Sequence, residues 1–273
     1  MDFSSLKEYG INYDKIESFE NILLDIINSS DNDKEHMITV VYSSIKKHYP
    51  DAIDNDTKNI LKMGCQYEAD GNYEKMKECY QIEIGKGNPI AMFNLGHHYG
   101  TQKDYDKMKY YYGMAIKCNH SPAMCNMGDY HHDRKEYLAA IEYYLNSIKH
   151  KNRTAMNNLG YLYMNKKEYR VAIRYIEMAM NNGHKGAIHN LAMCYKQMRD
   201  YDSMVKYLKI GVDNDISESM HQLGCYYGNP DNNKRKDVYL CKKYMMMAYK
   251  NGYDIGTEWI LKYCSDLDIY IGL

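Results

Sequence analysis

The histidines, cysteines and asparagines are the residues of this chain with the most chemical potential, and their spacing limits what each set can do. Histidines come as two adjacent pairs, His97-His98 and His131-His132, with His189 and His221 further along. Zinc takes three or four convergent ligands, commonly from i and i+4 on a helix, whereas adjacent residues project about 100° apart. No metal site is expected from the pairs, and no cofactor. The eight cysteines (Cys65, Cys79, Cys118, Cys125, Cys194, Cys225, Cys241, Cys264) contain no C-x-x-C pair. They read as reduced, small core residues rather than a zinc ribbon or a dithiol redox motif. No nucleophile elbow, phosphate-binding glycine loop or H-E-x-x-H helix is written here, so catalysis is not expected.

The amides are arranged differently. Asn94, Asn126, Asn158, Asn190 and Gln222 follow one another at a spacing of 32 residues. A carboxamide offers two donors and one acceptor, the complement of the C=O and N–H of an extended peptide. A ladder of them could hold a peptide without reading its sequence; amides that only bridge neighbouring helices, copied by duplication, would leave the same pattern. Two further columns vary from unit to unit, as specificity determinants do: His97, Asp129, Tyr161 and Met193 in one, and Phe93, Cys125, Asn157, His189 and His221 in the other.

The elements that must position these residues follow from the same period. Gly64, Gly96, Gly128, Gly160, Ala192 and Gly224 form one column, Ala91, Ala123, Ala155, Ala187 and Ser219 a second, and Tyr73, Tyr105, Tyr137, Tyr169 and Tyr201 a third. The composition has 31 Tyr against 3 Phe and 1 Trp, and the register gives many of those tyrosines a place as repeat anchors with buried rings. Each unit reads as two helices. Ala155, Leu159 and Tyr163 make the stripe of a first helix; Tyr169, Ala172, Tyr175 or Ile176, and Ala179 make that of a second. The mid-helix glycine implies close approach of the partner helix. Asn72, Asp104, Glu136, Glu168, Asp200 and Asp237 fall where they can cap a second helix or complement its dipole, and Gly87, Asn119, Gly183 and Gly252 fall where a left-handed residue closes one. The pair Lys236-Asp237 places a five-residue insertion in the sixth unit, around Gly228 to Arg235.

The pattern small-x-x-x-Leu-Gly-x-x-Tyr, a short polar turn, then Tyr-x-x-small-x-x-Tyr-x-x-x-small resembles the tetratricopeptide repeat. Its closing Gly-His-x-x-Ala or Gly-Asn-x-x-Ala resembles the related Sel-1-like repeat. The resemblance covers roughly residues 56 to 264, with a unit of 32 that is shorter than the usual tetratricopeptide repeat. It implies an all-α, right-handed α-solenoid of about six two-helix repeats, curved around a concave binding surface lined by the first helices. Tetratricopeptide proteins that hold peptides through such ladders carry Asn at this place before the Leu-Gly pair. The implied function is a non-catalytic scaffold or adaptor gripping a peptide or helix of a partner protein; the alternative is an RNA-binding helical repeat resembling pentatricopeptide arrays. His97, Asp129, Tyr161, His189 and His221 become the expected specificity residues of the groove.

The chain divides into a helical N-terminal cap over 1–55, six repeats over 56–254, and a C-terminal capping helix and tail over 255–273. Lys+Arg 35 against Asp+Glu 36 argues against a dedicated phosphate-backbone binder. The basic file Lys103, Lys135, Lys167, Arg199 and Lys236 stands beside acidic neighbours in inter-helix turns and reads as a solvated edge. No apolar run spans a membrane and no leader pattern opens the chain, so the expected location is the cytoplasm, with a monomer favoured. Lys far in excess of Arg, with abundant Asn, Ile and Tyr, suggests an AT-rich genome such as that of a protist or a large DNA virus.

Overall fold

A computed structural model describes residues 53–228 and 237–254. The expected terminal caps and the insertion of the sixth unit lie outside the described residues. Within them the chain is helical throughout, as six two-helix units. The first helices are α1 (Ile53–Ala69), α3 (Pro89–Thr101), α5 (Ser121–Asp133), α7 (Arg153–Asn165), α9 (Gly186–Gln197) and α11 (Ser217–Gly228). The second helices are α2 (Tyr73–Gly85), α4 (Tyr105–Lys117), α6 (Tyr137–Lys149), α8 (Tyr169–Asn181), α10 (Tyr201–Asp213) and α12 (Val238–Lys250). The chain forms two compact units, Met1–Met124 and Cys125–Leu273.

No helix here buries its apolar stripe alone. First helices α1, α3, α7, α9 and α11 pack on the second helix of their own repeat, and α2, α6, α8 and α10 pack on the first helix that follows. Each cluster of core side chains therefore draws on neighbouring helices. In the second unit Met156, Ala172, Ile176, Ala179, Ala187 and Leu191 form one such cluster, and Ala192, Met204, Leu208 and Leu223 the next. In the first unit Met76, Tyr80, Ala91 and Leu95 do the same. A leucine fully buried in this way contributes about 1.5 to 3 kcal/mol over an exposed one.

The glycine column has the reason expected of it. A Cβ built on Gly64, Gly96 or Gly128 would sit 2.6, 2.6 or 2.5 Å from the ring of Tyr80, Tyr112 or Tyr144, sixteen residues on in the second helix. At Gly160 it would strike Ile176 and come within 3.1 Å of the Ala172 carbonyl oxygen. The buried anchor of the second helix is thus the column Tyr80, Tyr112, Tyr144, Ile176, Leu208 and Met245. Its neighbours Tyr111, Tyr143, Tyr175, Tyr207 and Tyr244 are not fully buried; they stack on the first-helix rings Tyr99, His131, Tyr163, Tyr195 and Tyr227 at 5.2 to 5.8 Å between centroids. His131 takes the tyrosine position of that stack, as its column indicated. The tyrosines that open the second helices are a correction: Tyr73, Tyr105 and Tyr137 are exposed, with Tyr73 at 45%, and only Tyr169 and Tyr201 of that column are half-buried.

Helix ends are closed by local chemistry. Asn72, Asp104, Asp200 and Asp237 accept a backbone N–H three residues on, whereas Glu136 and Glu168 make no cap bond and instead pair with Arg134 and Lys166. Asn88 and Asn152 cap first helices α3 and α7. Gly87, Asn119, Gly183 and Gly252 adopt positive φ after second helices as expected, joined by Lys151 and Asp215. The turns after first helices also contain a positive-φ residue: Gly71, Lys103, Lys135, Lys167 and Arg199. For a residue with a Cβ that conformation costs about 1 kcal/mol or more.

The cysteines among the described residues are unpaired, and Cys79, Cys125, Cys194 and Cys241 are core residues. Burial pushes the thiols of Cys79, Cys125 and Cys194 up to about 12. Cys65 and Cys118 are exposed instead, Cys118 as the residue that closes α4.

Candidate binding face of the first helices

Within the second unit, residues of α5, α7, α9 and α11 that do not face the second helices form one polar set. The asparagine column lies there, and its amides already have partners inside the protein. Asn158 on α7 donates through Nδ2 to Asp129 Oδ1 on α5 at 2.8 Å, and Asn190 on α9 donates to Asn157 Oδ1 on α7 at 2.8 Å. Gln222 on α11 accepts from Lys196 Nζ on α9 at 3.0 Å. In the first unit Asn94 on α3 donates towards Tyr80 Oη at 3.4 Å and lies 3.8 Å from Cys65 Sγ. Asn126 is also engaged. The bonds of Asn158, Asn190 and Gln222 tie successive first helices together. One N–H and the carbonyl oxygen of Asn190 stay outside them.

Asp129 is drawn into the same network. Tyr144 Oη donates to Asp129 Oδ1 at 2.6 Å, so the carboxylate receives a phenol and an amide at one oxygen. Burial and the adjacent Asp129 carboxylate hold the Tyr144 phenol well above its usual range, which keeps it a donor at any ordinary pH. A related arrangement recurs in the first unit, where Tyr80 Oη donates to Glu68 Oε2 at 3.0 Å and lies 3.5 Å from Cys65 Sγ. These phenols come from second helices and reach the first-helix face beside the glycine. The sequence held the signal, a tyrosine sixteen residues after Gly64, Gly96 and Gly128. Tyrosine recurs in more units one residue earlier, at Tyr111, Tyr143, Tyr175, Tyr207 and Tyr244, which obscures it.

The variable columns separate into tied and free members. Tyr161 on α7 is 43% exposed, with the His132 ring 6.4 Å away. His97 on α3 is exposed. His189 and His221 are partly buried, each with an Nδ1 that has no partner among the described residues. Burial holds both imidazoles below their usual range; Lys196 lowers both further, and Glu218 opposes the effect at His189. His221 also stacks on Tyr253 at 4.5 Å and lies 3.6 Å from Cys225 Sγ. Burial raises the Cys225 thiol, so the pair is a neutral thiol beside a neutral imidazole at pH 7 and not an activated nucleophile. Among the described residues no group of three His, Cys, Asp or Glu side chains converges to hold a metal ion. No described helix is long and apolar enough to cross a membrane.

The face therefore offers neutral hydrogen-bonding groups, one exposed aromatic ring and few charges. Such a surface suits the backbone of an extended chain better than it suits an anion.

The sequence matches the tetratricopeptide repeat family over residues 154–181 and 186–209, which are α7 with α8 and α9 with most of α10. No curated protein matches the chain in sequence. Among solved structures it is similar to a Sel1 repeat protein from Oxalobacter formigenes, at 22% identity and TM-score 0.59, covering 79% of this chain and 92% of that one. It is similar to PilF of Pseudomonas aeruginosa at 14% identity and TM-score 0.58, covering 78% of this chain and 98% of that one. A third similar structure is that of the APC/C hetero-tetramer Cut9-Hcn1, at 14% identity and TM-score 0.56, covering 92% of this chain and 52% of that one. Repeat register, two matched repeats and a shared architecture together make this chain an all-α helical-repeat solenoid, similar in fold to Sel1 and tetratricopeptide repeat proteins.

Proposed function

We propose that the protein is a non-catalytic interaction scaffold whose second unit holds an extended peptide segment of a partner protein along α5, α7, α9 and α11. The observation that carries this reading is the neutral polar face itself. Donors and acceptors recur there from unit to unit, while the residues around them change. Tyr161, Asp129, His189 and His221 are the proposed specificity residues, and His97 is their counterpart in the first unit. Of the amide column Asn94, Asn126, Asn158, Asn190 and Gln222, Asn190 is the member best placed to meet a peptide backbone. The others support the face by holding its helices in register. A chain of similar fold occurs in a hetero-tetramer, which supports a partner-binding role. The unpaired thiols among the described residues favour a reducing compartment, and we place the protein in the cytoplasm.

Selection of linear peptides from a random display library on immobilised protein tests the reading. Wild type is expected to enrich a common motif. The Tyr161→Ala variant, which alters an exposed side chain and leaves the core intact, is expected to lose that motif. A library that yields no common linear motif on wild type, or the same motif on both proteins, contradicts the proposal.

A further inference from the structure

We propose that the turn edge of the second unit carrying Lys135, Lys167 and Arg199 is a docking edge for an extended acidic segment of a partner protein. Each of these residues follows a first helix, α5, α7 or α9, with φ of 62°, 62° and 60° respectively. That is the left-handed region, where a Cβ crowds the adjacent carbonyl and glycine is the natural occupant. The chain uses that natural solution elsewhere. At the same place in the first repeat stands Gly71, with φ of 73°. The turns that leave the second helices use Gly87, Asn119, Gly183, Asp215 and Gly252, with Lys151 the exception. Residues suited to the conformation fill five of those six turns, whereas Lys or Arg fills four of the five described turns after first helices, Lys103 being the fourth. A strained backbone position held by a cation in repeat after repeat points to a use for the cation.

The turn itself supplies no such use. All three side chains are exposed and make no hydrogen bond or ion pair with a described residue. Cations immediately before two of them are engaged: Arg134 pairs with Glu136 at 3.6 Å and Lys166 with Glu168 at 3.0 Å. Successive first helices touch through the Asn158–Asp129 and Asn190–Asn157 bonds, helices in contact lie about 8–10 Å apart, and a polyproline-II chain advances about 3.1 Å per residue with three residues per turn. Carboxylates on every third residue of such an extended segment share one face and match successive cations along the edge. Glu136, Glu168 and Asp200 stand one residue after each cation. They disfavour a nucleic-acid strand, whose charge falls on every nucleotide, more than a peptide whose acidic residues alternate with neutral ones.

The test uses the full-length chain and a fluorescein-labelled peptide of four Glu-Ser-Gly triplets, read by anisotropy at low salt (about 50 mM) and at about 300 mM. Wild type is expected to bind, at least tenfold more weakly at the higher salt, and to ignore the matching Gln-Ser-Gly peptide. In the triple variant Lys135→Gly, Lys167→Gly, Arg199→Gly the affinity is expected to fall tenfold or more while the thermal midpoint rises, since glycine relieves the left-handed strain. The control Lys151→Gly is expected to raise the midpoint and leave binding unchanged. Absence of salt-sensitive binding by wild type, unchanged binding by the triple variant, or an equal loss in Lys151→Gly overturns the proposal. So does tighter binding of a twelve-nucleotide uridine RNA that the triple variant also loses, because the occupant is then nucleic acid.

Discussion

At the scale of single residues, the glycines separate close packing from mere tolerance. Gly160 lies against Ile176 and the Ala172 carbonyl, while Gly113, also mid-helix, has nothing within 4 Å of a built Cβ. Gly160→Ala is expected to destabilise by about 2 kcal/mol, its better helix propensity being outweighed by overpacking against backbone that cannot yield. Gly113→Ala is expected to stabilise by about 0.5 to 1 kcal/mol. Urea denaturation of the two variants checks both signs. The asparagine column behaves in the opposite way to a free ladder. Asn158 has a charged acceptor in Asp129, so Asn158→Ala is expected to lose about 1 to 2 kcal/mol of stability in the absence of any ligand, read by the same titration. A stability unchanged by that substitution would restore Asn158 to a purely ligand-facing role. Glu83 offers a third lesson: it is a fully buried carboxylate where other repeats have Ala115, Ser147, Ala179, Gly211 and Ala248. It is held by Lys86 at 2.9 Å and Asn88 at 2.8 Å, so one repeat replaces a small apolar contact with a partnered ion pair.

At the scale of helices, caps and turns explain both what was legible and what was not. Asn152 accepts the N–H groups of Thr154 and Ala155, whereas Glu168 occupies a cap position without a cap bond. Asn152→Ala is therefore expected to cost about 1 kcal/mol and Glu168→Ala less than about half of that, measured by thermal unfolding. Helix positions were readable because the period of 32 repeats the same small, leucine and glycine positions, and each has a packing reason that survives in every unit. The left-handed turns were readable where Gly or Asn marks them. At Lys103, Lys135, Lys167 and Arg199 they were not, since residue type there runs against backbone preference. The site was legible in its columns and not in its bonds. Column analysis placed Asn158, Asp129 and Tyr161 on one face, but a hydrogen bond from Tyr144 depends on how far a second-helix ring reaches past Gly128, which spacing alone does not encode.

At the scale of the whole molecule, histidines and charge set the response to pH. His98, His120, His184, His189 and His221 all have imidazoles held below their usual range, with burial the leading cause in each. The unfolded chain then binds more protons than the folded one once the pH falls below the ordinary histidine value of about 6.5. Stability is expected to be flat above pH 7 and to decline from about pH 6.5 towards pH 5, as read from urea midpoints at each pH. His120 adds a local reason, because its Nδ1 accepts the N–H of Ala123 at 3.3 Å and protonation would remove that acceptor at the start of α5. The two surfaces proposed for partners are distinct: the neutral first-helix face around Tyr161, and the cationic turn edge at Lys135, Lys167 and Arg199. A photo-crosslinking amino acid placed singly at Tyr161 or at Leu138, which is 86% exposed on second helix α6, tests the central claim most directly. Incubated with the linear peptide selected on wild type, the protein labelled at Tyr161 is expected to form the crosslink and the one labelled at Leu138 to form none. Crosslinking from Leu138 with none from Tyr161 would place the peptide on the second helices and contradict the assignment of the first-helix face as the binding surface.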